Sequence, residues 1–268
     1  MLTPTQFSLV YNTLSFTFAT MLASFVFFVL ARQQVSPKYR SALVMSAIVV
    51  AVAGYHYFRI FESWSAAFIL QDGMYVASGV PFNDAYRYVD WLLTVPLLVA
   101  ELIAVLNLPK GQRGRLTAQL VIASVAMIVL GYPGEIAQTA GARALWGFLS
   151  TIPFVYIVWI LFGQLNGAIE QQTGEAKVLT RNIRWLLLGT WGFYPIVYLL
   201  PILDGVGILA LGSAATLVGV QVGYGIADVL AKCGYGIMIY AIAKANSEAD
   251  VAAIEAVPAG EMAATPAR

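Results

Sequence analysis

Seven apolar stretches follow one another along the chain, at about residues 8–31, 41–64, 86–107, 116–133, 143–163, 181–201 and 214–243. Each is close to the ~20 residues that a helix needs to cross ~30 Å of hydrocarbon. A backbone in lipid must satisfy its own polar groups, so stretches of this length are read as helices. The expected fold is an all-α membrane protein, a seven-transmembrane-helix bundle. Composition agrees: charged residues make up 11% of the 268, against about 25% in a soluble domain. The formal net charge is +1, so no global basic bias points to nucleic acid. A single cysteine, Cys233, rules out an intrachain disulfide framework. No 20–50-residue self-repeat is evident, which argues against a solenoid.

The connections are polar or rich in Gly and Pro: Arg32–Arg40, Gln71–Asp84, Pro109–Arg115, Pro133–Ala142, Gln164–Thr180 and Pro201–Gly212. In the second of them, Met74–Val76 and a run near Ser78–Val80 are expected to form a small hairpin. Residues 1–245 are expected to form the transmembrane domain. The Ala/Glu/Pro-rich residues 246–268 are expected to be a disordered cytoplasmic tail. The first basic residue is Arg32, so no basic segment precedes the first apolar run and no signal peptide is expected.

Orientation follows from the basic residues. Loops one, three and five, with the C-terminus, hold Arg32, Lys38, Arg40, Lys110, Arg113, Arg115, Lys177, Arg181, Arg184, Lys244 and Arg268. The other loops and the N-terminus hold only Arg143. That asymmetry puts the N-terminus outside and the C-terminus in the cytoplasm. The expected setting is a bacterial plasma membrane, crossed several times, with the lipid bilayer as surroundings and a homo-oligomer as assembly.

Ionisable residues remain inside the stretches: Arg59, Arg87 and Lys232, with Asp90, Glu101, Asp228 and, nearer a helix end, Glu62; His56 is the sole histidine. Such groups are costly at membrane depth unless paired, and they mark ion pathways. Asp228 and Lys232 are four apart and share a helix face. Arg87, Asp90, Thr94 and Glu101 fall on one face of the third helix. Asp90 and Glu101 are separated by roughly 16 Å along the axis. Acids at different depths of one bundle interior are what proton transfer needs. Taken singly, each has a plainer reading: a snorkelling lysine, a packed histidine, core aromatics at Trp91, Trp191 and Tyr194, kinks at Pro96 and Pro195.

Taken together, three segments resemble the microbial rhodopsins over nearly the whole chain. They are Arg87-Tyr88-Val89-Asp90-Trp91-Leu92-Leu93-Thr94-Val95-Pro96-Leu97-Leu98 followed by Glu101, Trp191-Gly192-Phe193-Tyr194-Pro195, and Asp228-Val229-Leu230-Ala231-Lys232. Within that family the chain is most similar to the proteorhodopsin and xanthorhodopsin group of outward proton pumps, through Asp90, Thr94, Glu101 and His56-Tyr57. The resemblance implies all-trans-retinal joined to Lys232 as a Schiff base. It implies Asp90 as counter-ion and primary proton acceptor, Asp228 as second counter-ion, Arg87 as their balancing charge and Glu101 as proton donor. Apolar neighbours of Glu101 favour its neutral form. Trp91, Trp191, Tyr194 and Pro195 resemble retinal-pocket residues, Tyr57 the hydroxyl partner of Asp228, and His56 a histidine that bonds the acceptor carboxylate.

The resemblance also carries finer expectations. Leu98 matches a colour-tuning position where an apolar side chain goes with green absorption and glutamine with blue. Gly147 matches a glycine of xanthorhodopsin-like members and is expected to leave an opening from the lipid to the retinal ring. A hydroxylated carotenoid antenna such as lutein or zeaxanthin could lie there. The archaeal pumps' proton-release glutamates have no match, since the corresponding positions read Leu203 and Val220. Asp204 lies one residue off, and Glu62 with Arg59 offers another outer site. The competing function is a photosensor that signals to a transducer. Sensors often lack a carboxylate at the Glu101 position, and chloride and sodium pumps carry other residues at Asp90, Thr94 and Glu101. Outside the family, the competing class is a small-molecule receptor or a structural membrane protein.

Overall fold

A computed structural model describes residues 1–106, 108–170, 172 and 174–255. Seven helical spans are long and apolar enough to cross a membrane among them: Pro4–Gln34, Pro37–Ala67, Tyr86–Val105, Lys110–Glu135, Ala140–Glu170, Gly174–Gly205 and Ser213–Ala253. The first helix starts at a capping box, in which the Thr3 hydroxyl accepts from the Gln6 amide and the Gln6 side chain accepts from the Thr3 amide. Pro4 follows at the first helical position. Consecutive helices pack side by side and the seventh returns against the first, closing a ring.

The polarity of this ring is inverted relative to a water-soluble bundle. Large apolar side chains such as Leu22, Ile122, Phe148 and Ile237 are exposed on the outside, whereas Asp90, Glu101, Asp228 and Lys232 are buried. That arrangement suits an exterior of lipid.

Three helices depart from regular geometry where the interior is polar or crowded. The sixth breaks at Gly192, between Gly174–Trp191 and Phe193–Gly205. A Cβ there would lie 2.7 Å from the Leu188 carbonyl oxygen, so the bend needs glycine. Pro195 follows in the first turn of the second segment, where a missing N–H costs little. The fifth carries a π-helical stretch at Ile160–Gln164. The seventh carries one at Val229–Gly234, which contains Lys232. π-Bulges of this kind gather at functional sites.

Two expectations are corrected here. The hairpin pairs β1, Phe68–Gln71, with β2, Met74–Ala77, in the register Phe68↔Ala77 to Gln71↔Met74. Its first strand therefore begins at the end of the second helix, and Ser78–Val80 lie outside it. Leu2 adds a bridge to Tyr75, and Phe7 stacks on the Tyr75 ring at 3.8 Å. Second, the last helix runs on from Tyr235 to Glu255, so the expected disorder does not begin at residue 246. Asn246 and Ser247 are buried. The Asn246 amide donates to the Val105 carbonyl at 2.9 Å, and the Ser36 amide donates to the Ser247 hydroxyl at 2.9 Å. Residues 256–268, the remainder of the expected tail, lie outside the described residues, as does Asn107 at the end of the third apolar stretch.

Candidate functional site

Lys232 is 2% exposed and sits between two carboxylates. Its Nζ donates to Asp228 Oδ1 at 2.6 Å and to Asp90 Oδ2 at 2.9 Å. The first contact is the four-residue spacing within one helix; the second joins the seventh helix to the third. A buried ammonium is tolerable only with such counter-charge.

The two carboxylates are held unequally. Asp228 also accepts from the Tyr57 hydroxyl at 2.6 Å, the Tyr194 hydroxyl at 2.5 Å and the Trp91 indole N–H at 3.2 Å. These donors come from the second, sixth and third helices. Asp90 has Lys232 on one oxygen, while Oδ1 is buried with no hydrogen-bond partner among the described residues. Thr94 does not reach the Asp90 carboxylate with its hydroxyl, which donates back to the Asp90 backbone carbonyl at 2.8 Å. Such back-bonding is the ordinary local choice of threonine in a helix.

His56 differs from expectation in the same way. It is buried and within electrostatic range of Asp90, but its Nδ1 lies 2.9 Å from the Val52 carbonyl oxygen one turn back. No hydrogen bond joins it to Asp90 among the described residues. Its ring packs edge-on to Tyr55 and tilted against Tyr86. The helix's own carbonyl takes one ring nitrogen, and the expected bond to the carboxylate is not formed among the described residues.

Arg87 is 2% exposed and lies over the rings of Tyr57 and Tyr224, each 5.6 Å from the guanidinium carbon. Its nearest acid is Asp84, at 3.7 Å. On the other side of Lys232, toward the C-terminal end of the bundle, Glu101 is fully buried and accepts from the Ser46 hydroxyl at 2.6 Å. Its other oxygen has no partner among the described residues.

A cavity of about 350 Å³ opens beside Lys232. Trp91, Leu98, Trp191, Tyr194 and Pro195 line it, and Gly147 lies at its far wall with Phe148 and Tyr198. Trp91 meets Tyr194 and Tyr224 edge-on, each at 5.2 Å. A Cβ on Gly147 would lie 2.6 Å from Tyr198 Cε1. The space that the missing side chain frees is therefore partly filled by the Tyr198 ring.

Several residues of the site were not singled out in the sequence. Ser46 is one small polar residue among alanines and valines, and its partner is 55 positions away. Tyr224 and Tyr235 are buried, and Tyr235 donates to the Leu98 carbonyl at 3.1 Å. Conversely, the outer sites suggested by sequence do not face the interior. Arg59 and Glu62 pair with each other at 3.5 Å, with side chains 40% and 53% exposed. Asp204 is occupied by the amides of Leu211 and Gly212 and the Thr216 hydroxyl, and so closes the loop between the sixth and seventh helices.

Known proteins resemble this chain in sequence and fold. Residues 9–246 match the family described as bacteriorhodopsin-like protein. A green-light absorbing proteorhodopsin from the gamma-proteobacterium EBAC31A08 is 30% identical over 234 residues, covering 85% of this chain and 84% of its own. A bacteriorhodopsin-II-like protein from Haloquadratum walsbyi is 28% identical, covering 83% and 85%. Among solved structures, that of xanthorhodopsin, described as a light-driven ion pump with dual chromophore, superposes with a TM-score of 0.87 at 59% identity, covering 93% of this chain and 98% of that one. A thermophilic rhodopsin gives 0.86 at 50% identity. With a family match spanning most of its length and a buried lysine held by two carboxylates, the chain belongs to the bacteriorhodopsin-like family, the microbial rhodopsins.

Proposed function

We propose that this protein is a light-driven pump that carries protons outward across a bacterial plasma membrane. The observation that carries the reading is Lys232 Nζ between two carboxylates of unequal surroundings. The cavity beside Lys232 fits retinal: it is largely apolar, walled by aromatic rings, and ends at a lysine amine. Trp91, Leu98, Trp191, Tyr194 and Pro195 would hold the polyene. When bound, retinal supplies the absorption of light and the change of shape that starts the cycle.

The chain's own residues then handle the proton. A proton leaving the Lys232 nitrogen meets Asp90, whose Oδ1 is open. Asp228 is less able to take it, because three neutral donors already occupy it. Glu101, buried and bonded to Ser46, can return a proton to the Lys232 nitrogen from the opposite end. Proteorhodopsin and xanthorhodopsin relatives support pumping, and the distribution of basic residues supports the N-terminus outside. A photosensor remains the second reading; the buried Glu101–Ser46 pair, which a pump needs for resupply, favours the pump. The green-light relative and the apolar Leu98 favour green absorption. The dual chromophore of xanthorhodopsin and Gly147 at the cavity wall favour a carotenoid antenna such as lutein or zeaxanthin.

The direct test of the site is reconstitution with all-trans-retinal. Wild-type membranes should become coloured and Lys232→Ala membranes should not. A covalent visible pigment in Lys232→Ala would overturn the assignment.

A further inference from the structure

The outer surface of the bundle carries a second cavity, of about 280 Å³, in the seam between the first and second helices. Two stripes at helical spacing wall it. Phe25, Val29 and Arg32 come from the first helix, and Val44, Ile48 and Ala51 from the second. The seam opens for local reasons. At Gly54 the two helices close up, since a Cβ there would lie 3.3 Å from Met21 Cβ. Toward Arg32 the second helix presents the small side chains of Ala47 and Ala51 instead of a ridge. The Phe28 ring does not fill the gap, because it turns in against Gly236 of the seventh helix, where a Cβ would overlap it.

The seam is apolar along its length and faces outward: Phe25, Val29, Val44 and Ile48 are each more than a third exposed. From Phe25 to Arg32 is about 10 Å of helix, enough for the upper part of an acyl chain. The seam ends in an unanswered charge. Arg32 is exposed, follows the apolar run of the first helix and has no acid partner among the described residues. At the same end of the bundle, Lys38, Lys177 and Lys244 pair with Asp250, Glu170 and Glu248. Arg40 starts the second helix one turn before Val44 and adds a second positive charge there. A guanidinium at the end of a membrane helix lies at headgroup level, and its paired N–H donors match a phosphate. Basic residues beside a gap between membrane helices recognise anionic lipid in this way.

We propose that this seam binds one anionic phospholipid, with its phosphate on Arg32 and an acyl chain lying over Ala47 and Ala51. The acyl chain covers the apolar gap, and the phosphate supplies the counter-charge that the protein does not. The seam shares no lining residue with the retinal cavity, so the lipid and the chromophore are bound side by side. A ligand held only by the folded bundle stabilises it, and here it bridges the first two helices.

The experiment is native mass spectrometry of purified, retinal-loaded protein in detergent, mixed with equal amounts of dioleoyl phosphatidylglycerol and dioleoyl phosphatidylcholine. The two lipids differ in headgroup charge and not in chains. Wild type should retain one phosphatidylglycerol in preference to phosphatidylcholine. Arg32→Gln should cut that preference roughly tenfold, the weight of a hydrogen bond between charged groups. Ala51→Phe puts a ring into the seam and should retain neither lipid there; should it form no pigment, Ile48→Trp fills the same space. Arg181→Gln, exposed at the same end but outside the seam, should behave as wild type. Wild-type pigment should also lose its colour more slowly on heating with phosphatidylglycerol than with phosphatidylcholine, a difference that Arg32→Gln should remove. Equal retention of the two lipids by the wild type, a preference that Arg32→Gln keeps or that Arg181→Gln loses equally, or thermal bleaching that ignores the lipid would overturn the proposal. So would a wild type that carries no phospholipid and runs as a dimer that Ala51→Phe splits, since that would give the seam to a second copy of the chain.

Discussion

Asp90 and Asp228 are the same side chain at nearly the same distance from Lys232 Nζ, and their neighbours divide the work. Asp228 is held by two tyrosines and a tryptophan, whereas Asp90 keeps an oxygen open. Asp90→Asn should shift absorption to the red, because a counter-charge is lost beside the lysine nitrogen, and transport should stop. Flash photolysis and a pH electrode check both. Glu101→Gln should leave the colour nearly unchanged. It should slow the recovery of the pigment roughly 10²-fold, in the range of a lost general acid, with rescue by small acids such as azide. Recovery at the wild-type rate would remove Glu101 from the donor role. Leu98→Gln should move the absorption maximum blueward from green, and a wild type already absorbing in the blue would contradict that. At this scale the sequence was most legible where partners are close along one helix, as with Asp228 and Lys232. It was least legible where a rotamer decides. His56 turned to the Val52 carbonyl and Thr94 to that of Asp90, each one turn back in its own helix instead of across to a carboxylate. Ser46 and Glu101 meet only because two helices pack in one register.

The elements show the same division. Apolar length located all seven helices, since only helices of that length satisfy a backbone in lipid. It did not reveal the break at Gly192 or the π-helical turn around Lys232, which answer to interior packing. Polarity alone also misread residues 246–255, where an Ala-rich segment stays helical because Asn246 and Ser247 bond back to the bundle. Gly147 of the fifth helix and Tyr198 of the sixth form one wall of the cavity. A polyene lying at Gly147 would have to displace the Tyr198 ring, whose hydroxyl donates to the Arg143 carbonyl at 2.7 Å. Lutein or zeaxanthin mixed with purified protein should acquire circular dichroism and appear in the excitation spectrum of retinal fluorescence. Gly147→Trp should remove both signals and leave pumping intact. Wild type without either signal, or a Trp variant that binds equally well, would rule out the antenna.

The whole molecule is a ring of helices with lipid-facing apolar side chains outside and a row of ionisable groups within. Glu101 lies toward one end, Lys232 and its carboxylates in the middle, and Arg87 and Asp84 toward the other. A proton path needs that order, and the outward direction proposed for it assumes the orientation that the concentration of lysines and arginines on the C-terminal side predicts. The direction is open to one direct measurement. Cells that express the protein with retinal are suspended without buffer and illuminated while the pH of the medium is recorded. The pH should fall in the light, recover in the dark, and show no light response once a protonophore is added. A light signal that raises the pH, or one that survives the protonophore, would contradict outward proton pumping.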